Sequence, residues 1–215
     1  IRRLNLNWSK SPNPFRYLYD NPVVAGYLAG LLKDLQPDIV HVTSCETLSA
    51  SVLRVVKEAG IPLVLSLTDF WFLCPRINLL HGDGHNCDGR TTPAECLDCQ
   101  LLLNGTYGRA RKVVPVKALS PVLELLSQYP VVTRMRGFRG LVGDVAERKT
   151  MLIQALSLPD YRVTASKFVQ QTFQRNGVTS EIMVQPYGHD LQWLENYEGK
   201  TKSDIIRLGY IGQIL

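Results

Sequence analysis

Apolar residues recur at helical spacing in two segments of the first sixty residues. The first segment, Pro22–Leu35, follows Asn21, a residue type that caps helices, and it has a proline at the first helical position. Pro37 then ends the helix. The second segment covers residues 47–59 and runs into Gly60, a common helix stop. The pattern therefore predicts two amphipathic helices, at 22–35 and 47–59.

Short, continuous apolar runs alternate with these helices. Residues 38–43 and 63–67 read as strands, and the second is typical of a strand covered on both faces. The alternation resumes with a predicted strand at Tyr161–Thr164, a helix at 167–176 and a strand at 181–185. Strand, helix and strand at this spacing predict an α/β fold with a parallel sheet and flanking helices.

The segment between these two groups has no clear period. Residues 74 to about 142 read as irregular and then basic, and they are too many for a plain connection. We therefore expect a functional insertion, with its cysteine-rich part at about 74–104. Near the carboxyl end, the polar stretch 196–204 predicts a linker, and residues 205–211 predict one further strand that ends at Gly212.

Four of the five cysteines lie within one short, glycine-rich stretch: Cys74, Cys87, Cys96 and Cys99. The spacing of Cys96 and Cys99 lets two thiolates bind one metal ion, and two more cysteines complete a tetrahedral set. Structural zinc is the leading interpretation, because such a loop has little core of its own. Disulfides or free thiols, and an iron–sulfur cluster, remain as alternatives. His81 and His85 lie inside the stretch, and a histidine can replace Cys74 as the fourth ligand.

The net charge of +5 is concentrated between residues 101 and 150. That segment has nine basic residues (Arg109, Arg111, Lys112, Lys117, Arg134, Arg136, Arg139, Arg148, Lys149) and three acidic ones (Glu124, Asp144, Glu147). Such an excess suits an anionic partner, and the stretch 133–139 suits an anionic membrane surface. A solvated basic face is the alternative. The sequence has no nucleic-acid-binding motif, so we expect no nucleic-acid partner.

Composition sets the remaining limits. The 215 residues are 45% hydrophobic and 20% charged, which fits one globular domain or one domain and part of another. No run of about 18 apolar residues is present, and the first residues lack the apolar core of a signal peptide. These features predict a cytoplasmic protein, although a missing native start can hide a signal.

Five stretches, in order, resemble retaining glycosyltransferases of family 4, which have the GT-B fold. They are Pro-Asp-Ile-Val-His-Val at 37–42, the segment 60–76 that contains Thr-Asp-Phe-Trp and Cys-Pro-Arg, Thr-Ala-Ser-Lys-Phe-Val at 164–169, Val-Gln-Pro-Tyr-Gly-His-Asp at 184–190, and the glycine-containing stretch 206–214. The resemblance covers about residues 37–215. It departs from the family at Thr68, where relatives have a histidine beside the transferred sugar.

The resemblance implies two facing Rossmann-like domains with the active site between them. Residues 1–195 then form the acceptor-side domain without its first strand, residues 196–204 the linker, and residues 205–215 the first strand of a truncated donor domain. Because most of the donor domain is missing, nucleotide-sugar would be bound outside this chain, and we expect the fragment alone to be inactive.

The resemblance also assigns roles to individual residues. Asp69 is the candidate catalytic or sugar-contacting carboxylate. The candidate substrate-binding residues are Thr68, Trp71, Arg76, Ser166, Lys167, Gly188, His189, Gly209 and Gly212, the last two near the donor phosphate. The residues alone favour an alternative, in which Asp69 caps the next turn while Phe70 and Trp71 pack in the core.

The implied activity is transfer of a hexose from a nucleotide-sugar to a glycan, glycolipid or lipid-linked acceptor with retention of configuration. Relatives often act at the inner membrane face, which agrees with the basic segment. A zinc-stabilised module that binds carbohydrate or an anionic partner without catalysis is the main alternative. A different Rossmann-type enzyme is disfavoured, because no Gly-x-Gly-x-x-Gly motif is present.

Overall fold

The structure is a computed structural model that describes residues 3–5, 14–103, 105–126, 129, 142–188, 190, 192, 195, 199, 202 and 204–206. We number the described elements in chain order. The helices are α1 (Pro14–Tyr17), α2 (Pro22–Leu35), α3 (Ser51–Glu58), α4 (Pro93–Leu101), α5 (Gly105–Arg111), α6 (Val116–Leu126), α7 (Val142–Ala155) and α8 (Lys167–Arg175). The strands are β1 (Val40–Val42), β2 (Leu63–Ser66), β3 (Tyr161–Thr164) and β4 (Met183–Val184).

The four strands form one parallel sheet in the order β1-β2-β3-β4. Helices flank the sheet, so the predicted α/β class with a parallel sheet is confirmed. Leu63 and Leu65 of β2 are fully buried, while Val64 and Ser66 between them are half-buried. Both faces of this strand are therefore covered, as its continuous apolar run predicts.

Helix α2 has the predicted bounds, and its cap is the predicted one. The Asn21 side chain accepts hydrogen bonds from the backbone N–H groups of Val23 (3.0 Å) and Val24 (3.2 Å). Helix α3 begins later than predicted, at Ser51 rather than residue 47. The reason is local: Ser49 has a φ of 69°, a left-handed conformation that does not continue a helix.

The segment between β2 and β3 is more regular than predicted. Residues 74–92 form turns with one isolated antiparallel bridge, between Leu80 and Asn86, but α4 to α7 follow it. Helix α4 begins at a capping box in which Thr92 and Glu95 bond reciprocally to each other's backbone N–H groups. The expectation of an irregular insertion is therefore wrong for residues 93–101.

Near the carboxyl end, residues 204–206 are bent and lie outside any strand, and Ile205 and Ile206 are exposed. The first two residues of the predicted strand are thus not extended into a sheet. The rest of that strand and most of the predicted linker lie outside the described residues. In the described part of the chain, no helix is long and apolar enough to cross a bilayer.

Candidate functional site at the carboxyl edge of the sheet

The carboxyl ends of β2 and β3 bring two of the predicted site residues to the same level of the sheet. Ser66 pairs with Val163, and the Leu67 N–H donates to the Val163 carbonyl at 2.8 Å. Asp69 and Ser166 each follow three residues after the paired position. In a parallel sheet this equal offset places them at the edge where open α/β sheets bind ligands.

Aromatic contacts show that the two chain segments stay together beyond the strands. Phe70 and Phe168 meet edge-to-face with ring centroids 6.1 Å apart, and Phe70 stacks on the buried Phe173 at 6.2 Å. Phe70 follows Asp69 directly, and Phe168 lies in the first turn of α8 behind Ser166. The carboxylate of Asp69 and the start of α8 therefore belong to one surface.

Asp69 is half-buried, and one carboxylate oxygen accepts a hydrogen bond from the Trp71 N–H at 2.8 Å. This is the capping role that the sequence left open as an alternative. Among the described residues, Asp69 has no ion-pair partner. It also lies near Cys45, which follows β1: burial, with a smaller effect of the Asp69 charge, raises the pKa of the Cys45 thiol to about 12. Asp69 thus makes a structural hydrogen bond at the sheet edge and has no basic side chain paired with it among the described residues.

Trp71 packs in the core. Its side chain is only 5% exposed, its ring meets Phe72 edge-on at 5.0 Å, and the Arg148 guanidinium lies 5.2 Å from the ring centroid. Since these groups cover the ring, Trp71 cannot stack on a sugar in this arrangement. Thr68, three residues before Trp71, is exposed at the sheet edge.

The other predicted site residues divide into three groups. Ser166 is the N-cap of α8, where its hydroxyl accepts from the Phe168 N–H at 3.1 Å, and the neighbouring Lys167 is exposed. Gly188 is exposed beyond β4, the next strand of the sheet. His189, Gly209 and Gly212 lie outside the described residues.

Two exposed aromatic residues at this edge were missed from the sequence. Phe168 is 61% exposed despite its contact with Phe70, and Tyr187 is 69% exposed three residues after the end of β4. An exposed ring offers an apolar face against which the C–H groups of a sugar can pack. The available signal was positional: both aromatics come within four residues of a predicted strand end.

The cysteine-rich segment lies directly after this edge. We call residues 74–92 the cysteine loop; with α4 it contains the four clustered cysteines, all of them half-buried free thiols. Arg76, predicted to bind substrate, lies in the cysteine loop instead. Its backbone N–H donates to the Cys74 Sγ at 3.4 Å, and its positive charge interacts with the Cys99 thiol. The loop is tied to α7 through Lys149, which donates to the Gly89 carbonyl at 3.1 Å, and to Asn176 beyond α8, which donates to the Asp88 carbonyl at 2.8 Å.

A second group of possible metal ligands lies inside the loop. Ligand atoms of His81, Asp83 and His85 are all within 4.8 Å of one another, and among the described residues this is the one such group. One Asp83 carboxylate oxygen lies 2.9 Å from the His81 Nδ1 and 2.5 Å from the His85 Nδ1. Burial is the largest single effect and raises the pKa of Asp83, but hydrogen bonds from the His81 ring and from the backbone and ring of His85 together lower this pKa to about 2.

A large cavity lies at the opposite edge of the sheet. It has a volume of about 760 Å³ and lies between the carboxyl ends of α2 and α3, where Pro37 and Ile61 lead into β1 and β2. Its only ionisable lining residues are Lys33 and Glu58. This cavity has few groups for chemistry, so we place the candidate site at the carboxyl edge.

Comparisons with protein-family models, with curated proteins and with solved structures find no match to this chain.

Proposed function

We propose that this chain is the acceptor-side domain of a retaining GT-B glycosyltransferase, which transfers a hexose from a nucleotide-sugar to a glycan, glycolipid or lipid-linked acceptor. The observation that carries the proposal is the register of β2 and β3, which brings Asp69 and the Ser166 end of α8 to the carboxyl edge of a parallel sheet. The all-parallel sheet with flanking helices is compatible with the Rossmann-like domain that the sequence resemblance implies.

Asp69 is the best candidate for contact with sugar hydroxyl groups. Its carboxylate already accepts the Trp71 N–H, which fixes the side chain, and a half-buried carboxylate accepts strong, charge-assisted hydrogen bonds. The exposed rings of Phe168 and Tyr187 supply apolar surface at the ends of the next two strands. A carboxylate with exposed aromatics at the ends of the neighbouring strands is a combination suited to a carbohydrate acceptor.

The transfer step needs stabilisation of the leaving diphosphate and of an oxocarbenium-like centre. In this proposal those groups belong mainly to a donor domain, of which residues 205–215 would form the beginning. We propose the exposed Lys167, the first residue of α8, as the basic residue that contacts a donor phosphate at this edge.

Contact with an anionic membrane is also part of the proposal. Fewer basic residues are free to make that contact than the sequence indicated. Arg148 is buried, Lys149 bonds to the cysteine loop, and Arg111 pairs with the buried Asp98 at 2.9 Å. These three basic residues stabilise the fold. The stretch 133–139, on which the membrane expectation chiefly rests, lies outside the described residues.

The proposal is tested on protein expressed from the whole reading frame that contains this chain, with UDP- and GDP-hexoses as donors and released UDP or GDP as the readout. The substitution Asp69→Asn keeps an oxygen that can accept the Trp71 N–H but removes the charge. We expect it to lower kcat/KM by about 10- to 100-fold, the range for losing a charge-assisted hydrogen bond, without a change in Tm.

Asp34→Asn is the matched control, because Asp34 is an exposed carboxylate on α2 away from the sheet edge. Nucleotide release that is equally fast in both variants would contradict the role of Asp69. Binding of hexoses without any nucleotide release would instead favour the alternative of a carbohydrate-binding module, which the capping role of Asp69 also allows.

A further inference from the structure

We propose that Cys74, Cys87, Cys96 and Cys99 bind one zinc ion as four thiolates, and that Arg76 and Arg148 balance the charge of this site. The inference does not depend on the proposed sugar transfer. It rests on three features of the described residues: the proximity of the cysteines to one another, the hydrogen bonds at three of their sulfurs, and a buried arginine that has no carboxylate partner.

The four cysteines come from three parts of the segment but lie together. Cys74 lies in the turn after β2, Cys87 at the far end of the cysteine loop, and Cys96 and Cys99 on consecutive turns of α4. Cys74 and Cys87 are near enough to Cys96, and Cys74 and Cys96 near enough to Cys99, to interact electrostatically. No three of the sulfurs are within 4.8 Å of one another. Zinc would draw them to about 3.8 Å apart, the separation that Zn–S bonds of about 2.3 Å impose.

Hydrogen bonds reach three of the four sulfurs. The Arg76 N–H donates to the Cys74 Sγ at 3.4 Å, and the Gly89 N–H donates to the Cys87 Sγ at 3.3 Å, in each case from two residues further along the chain. The Thr91 hydroxyl lies 2.7 Å from the Cys96 Sγ, and either atom can donate the hydrogen bond. Hydrogen bonds to sulfur fix the orientation of the side chains, as the outer-shell partners of a metal site do.

Arg148 provides the independent observation. It is 4% exposed, it donates to the Trp71 carbonyl, and no carboxylate pairs with it among the described residues. The acidic groups near it are the thiols of Cys74 and Cys96 and the buried Tyr19 phenol. A buried cation without an anion is costly, and an anionic centre beside Arg148, such as a metal ion with four thiolates, would offset that cost.

Arg76 adds a second cation. One of its guanidinium nitrogens, Nη1, is buried without a hydrogen-bond partner in the described residues, and its charge acts on Cys99. When zinc binds, the four thiols release their protons to solvent, and the Zn²⁺ with four thiolates retains two negative charges. Arg76 and Arg148 would balance them. Four sulfur ligands leave no open coordination position, so the site would be structural rather than catalytic.

A zinc ion here would hold the cysteine loop against α4. The loop contains Ile77 and Leu79 at φ values of 75° and 53°, which are unfavourable for non-glycine residues, above all for the β-branched Ile77. Such conformations persist where surrounding bonds fix them. Since the loop also bonds to Lys149 and Asn176, the metal would join the end of β2 to α4, α7 and the end of α8.

The test measures zinc by elemental analysis in the full protein, purified without added metal or chelator. We expect about one zinc per chain, and we expect Cys96→Ser and Cys99→Ser to lose it. Cys45→Ser is the matched control, because Cys45 is a buried free cysteine outside the cluster, and this variant should keep the metal. His81→Ala with His85→Ala should also keep it, which separates the thiolate site from the histidine group.

Two further measurements keep the proposal testable if the serine variants fail to fold. Cobalt(II) in place of zinc should give the visible bands of a tetrahedral site and a thiolate-to-metal charge-transfer band. Thr91→Val should keep the stoichiometry but weaken zinc binding by about 10- to 100-fold, as for other outer-shell partners. Iron with labile sulfide, disulfides in a metal-free protein, or zinc lost only from the histidine variant would each overturn the proposal.

Discussion

Two buried arginines, Arg162 and Arg148, differ in the groups that replace water around their guanidinium side chains. Arg162 of β3 donates to the carbonyl oxygens of Leu156, Ser157 and Pro159, which follow α7. Arg148 instead lies on the Trp71 ring beside two thiols. Burial lowers the pKa of both guanidinium groups, yet only Arg162 has a full set of oxygen acceptors. Backbone carbonyl groups therefore satisfy the Arg162 guanidinium, whereas the Arg148 guanidinium has no anionic carboxylate partner among the described residues.

Replacing Arg162 by lysine should destabilise the protein. A lysine has one nitrogen and cannot bridge three carbonyl groups as the planar guanidinium does, so about 2 to 4 kcal/mol of unfolding free energy should be lost. Chemical denaturation of Arg162→Lys measures this. Arg175→Lys at the exposed end of α8 serves as the control and should change stability by less than about 0.5 kcal/mol.

Asp160 predicts a dependence of stability on pH. Hydrogen bonds from Lys57 (2.7 Å) and from the Leu63 N–H (2.8 Å) lower the pKa of this carboxyl below its usual value of about 3.9. The carboxylate therefore stabilises the fold above about pH 4, and this contribution is lost as pH falls through the lowered pKa. Asp160→Asn should be less stable than wild type at pH 6, and the gap should narrow toward pH 3. A gap that stays constant with pH would contradict this reasoning.

At the scale of elements, the approach of the cysteine loop to α4 depends on Gly82. A Cβ at this position would lie 2.6 Å from the Cys99 carbonyl oxygen and 2.8 Å from the Leu102 Cβ. The loop can therefore reach the helix only if residue 82 has no side chain.

Gly82→Ala should lower the free energy of unfolding by about 1 to 3 kcal/mol, because the loop must move away from α4. Gly26→Ala, in the exposed interior of α2 where nothing lies within 4 Å of the added carbon, should raise it by about 0.5 to 1 kcal/mol. The pair is compared by thermal or chemical denaturation. Equal effects of the two substitutions would mean that the close contact at Gly82 does not affect the free energy of unfolding.

Elements with a strong period were predictable from the sequence, and elements between them were not. Helix α2, with its Asn21 cap, and the four strands follow directly from apolar spacing and stop residues. Helix α4 was missed because the cysteines in this segment have no helical period. Its start could have been recognised, since Thr92, Pro93 and Glu95 form a capping-box pattern. Helix α7 was missed because charged residues such as Arg148 occupy its buried face.

The candidate site was predictable only in part, for a different reason. Sequence position places Asp69 and Ser166 at strand ends, but whether a side chain faces solvent or core depends on packing between distant segments. Trp71 is covered by Arg148, 77 residues away, and Phe168 is exposed although its neighbour Phe173 is buried. No local pattern distinguishes these cases.

At the scale of the whole molecule, the order of the strands brings two kinds of chemistry to one side of the sheet. The edge with Asp69 and Ser166 continues within five residues into the cysteine loop, which begins at Cys74. The loop in turn bonds to α7 and to the end of α8, the helix that Ser166 caps. We therefore expect a structural metal in the loop to stabilise the edge at which the acceptor would bind.

Removing the metal should loosen this region without unfolding the sheet. Treatment with a thiol-reactive mercurial and a chelator should increase proteolysis within residues 74–92 and lower Tm, since the loop has few buried apolar side chains of its own. Limited proteolysis with mass spectrometry locates the cut sites. Cleavage that begins instead in α2 or α3 would contradict a local role for the metal.

The central claim, hexose transfer with retention, is tested most directly by the anomeric configuration of the product. The protein from the whole reading frame is incubated with the α-linked donors UDP-glucose, UDP-galactose and GDP-mannose and with alkyl glycosides as acceptors, and the new linkage is assigned by proton NMR. We predict an α-linked product from one of these donors, formed at least ten times more slowly by Asp69→Asn. A β-linked product, or hexose binding with no transfer, would contradict the account.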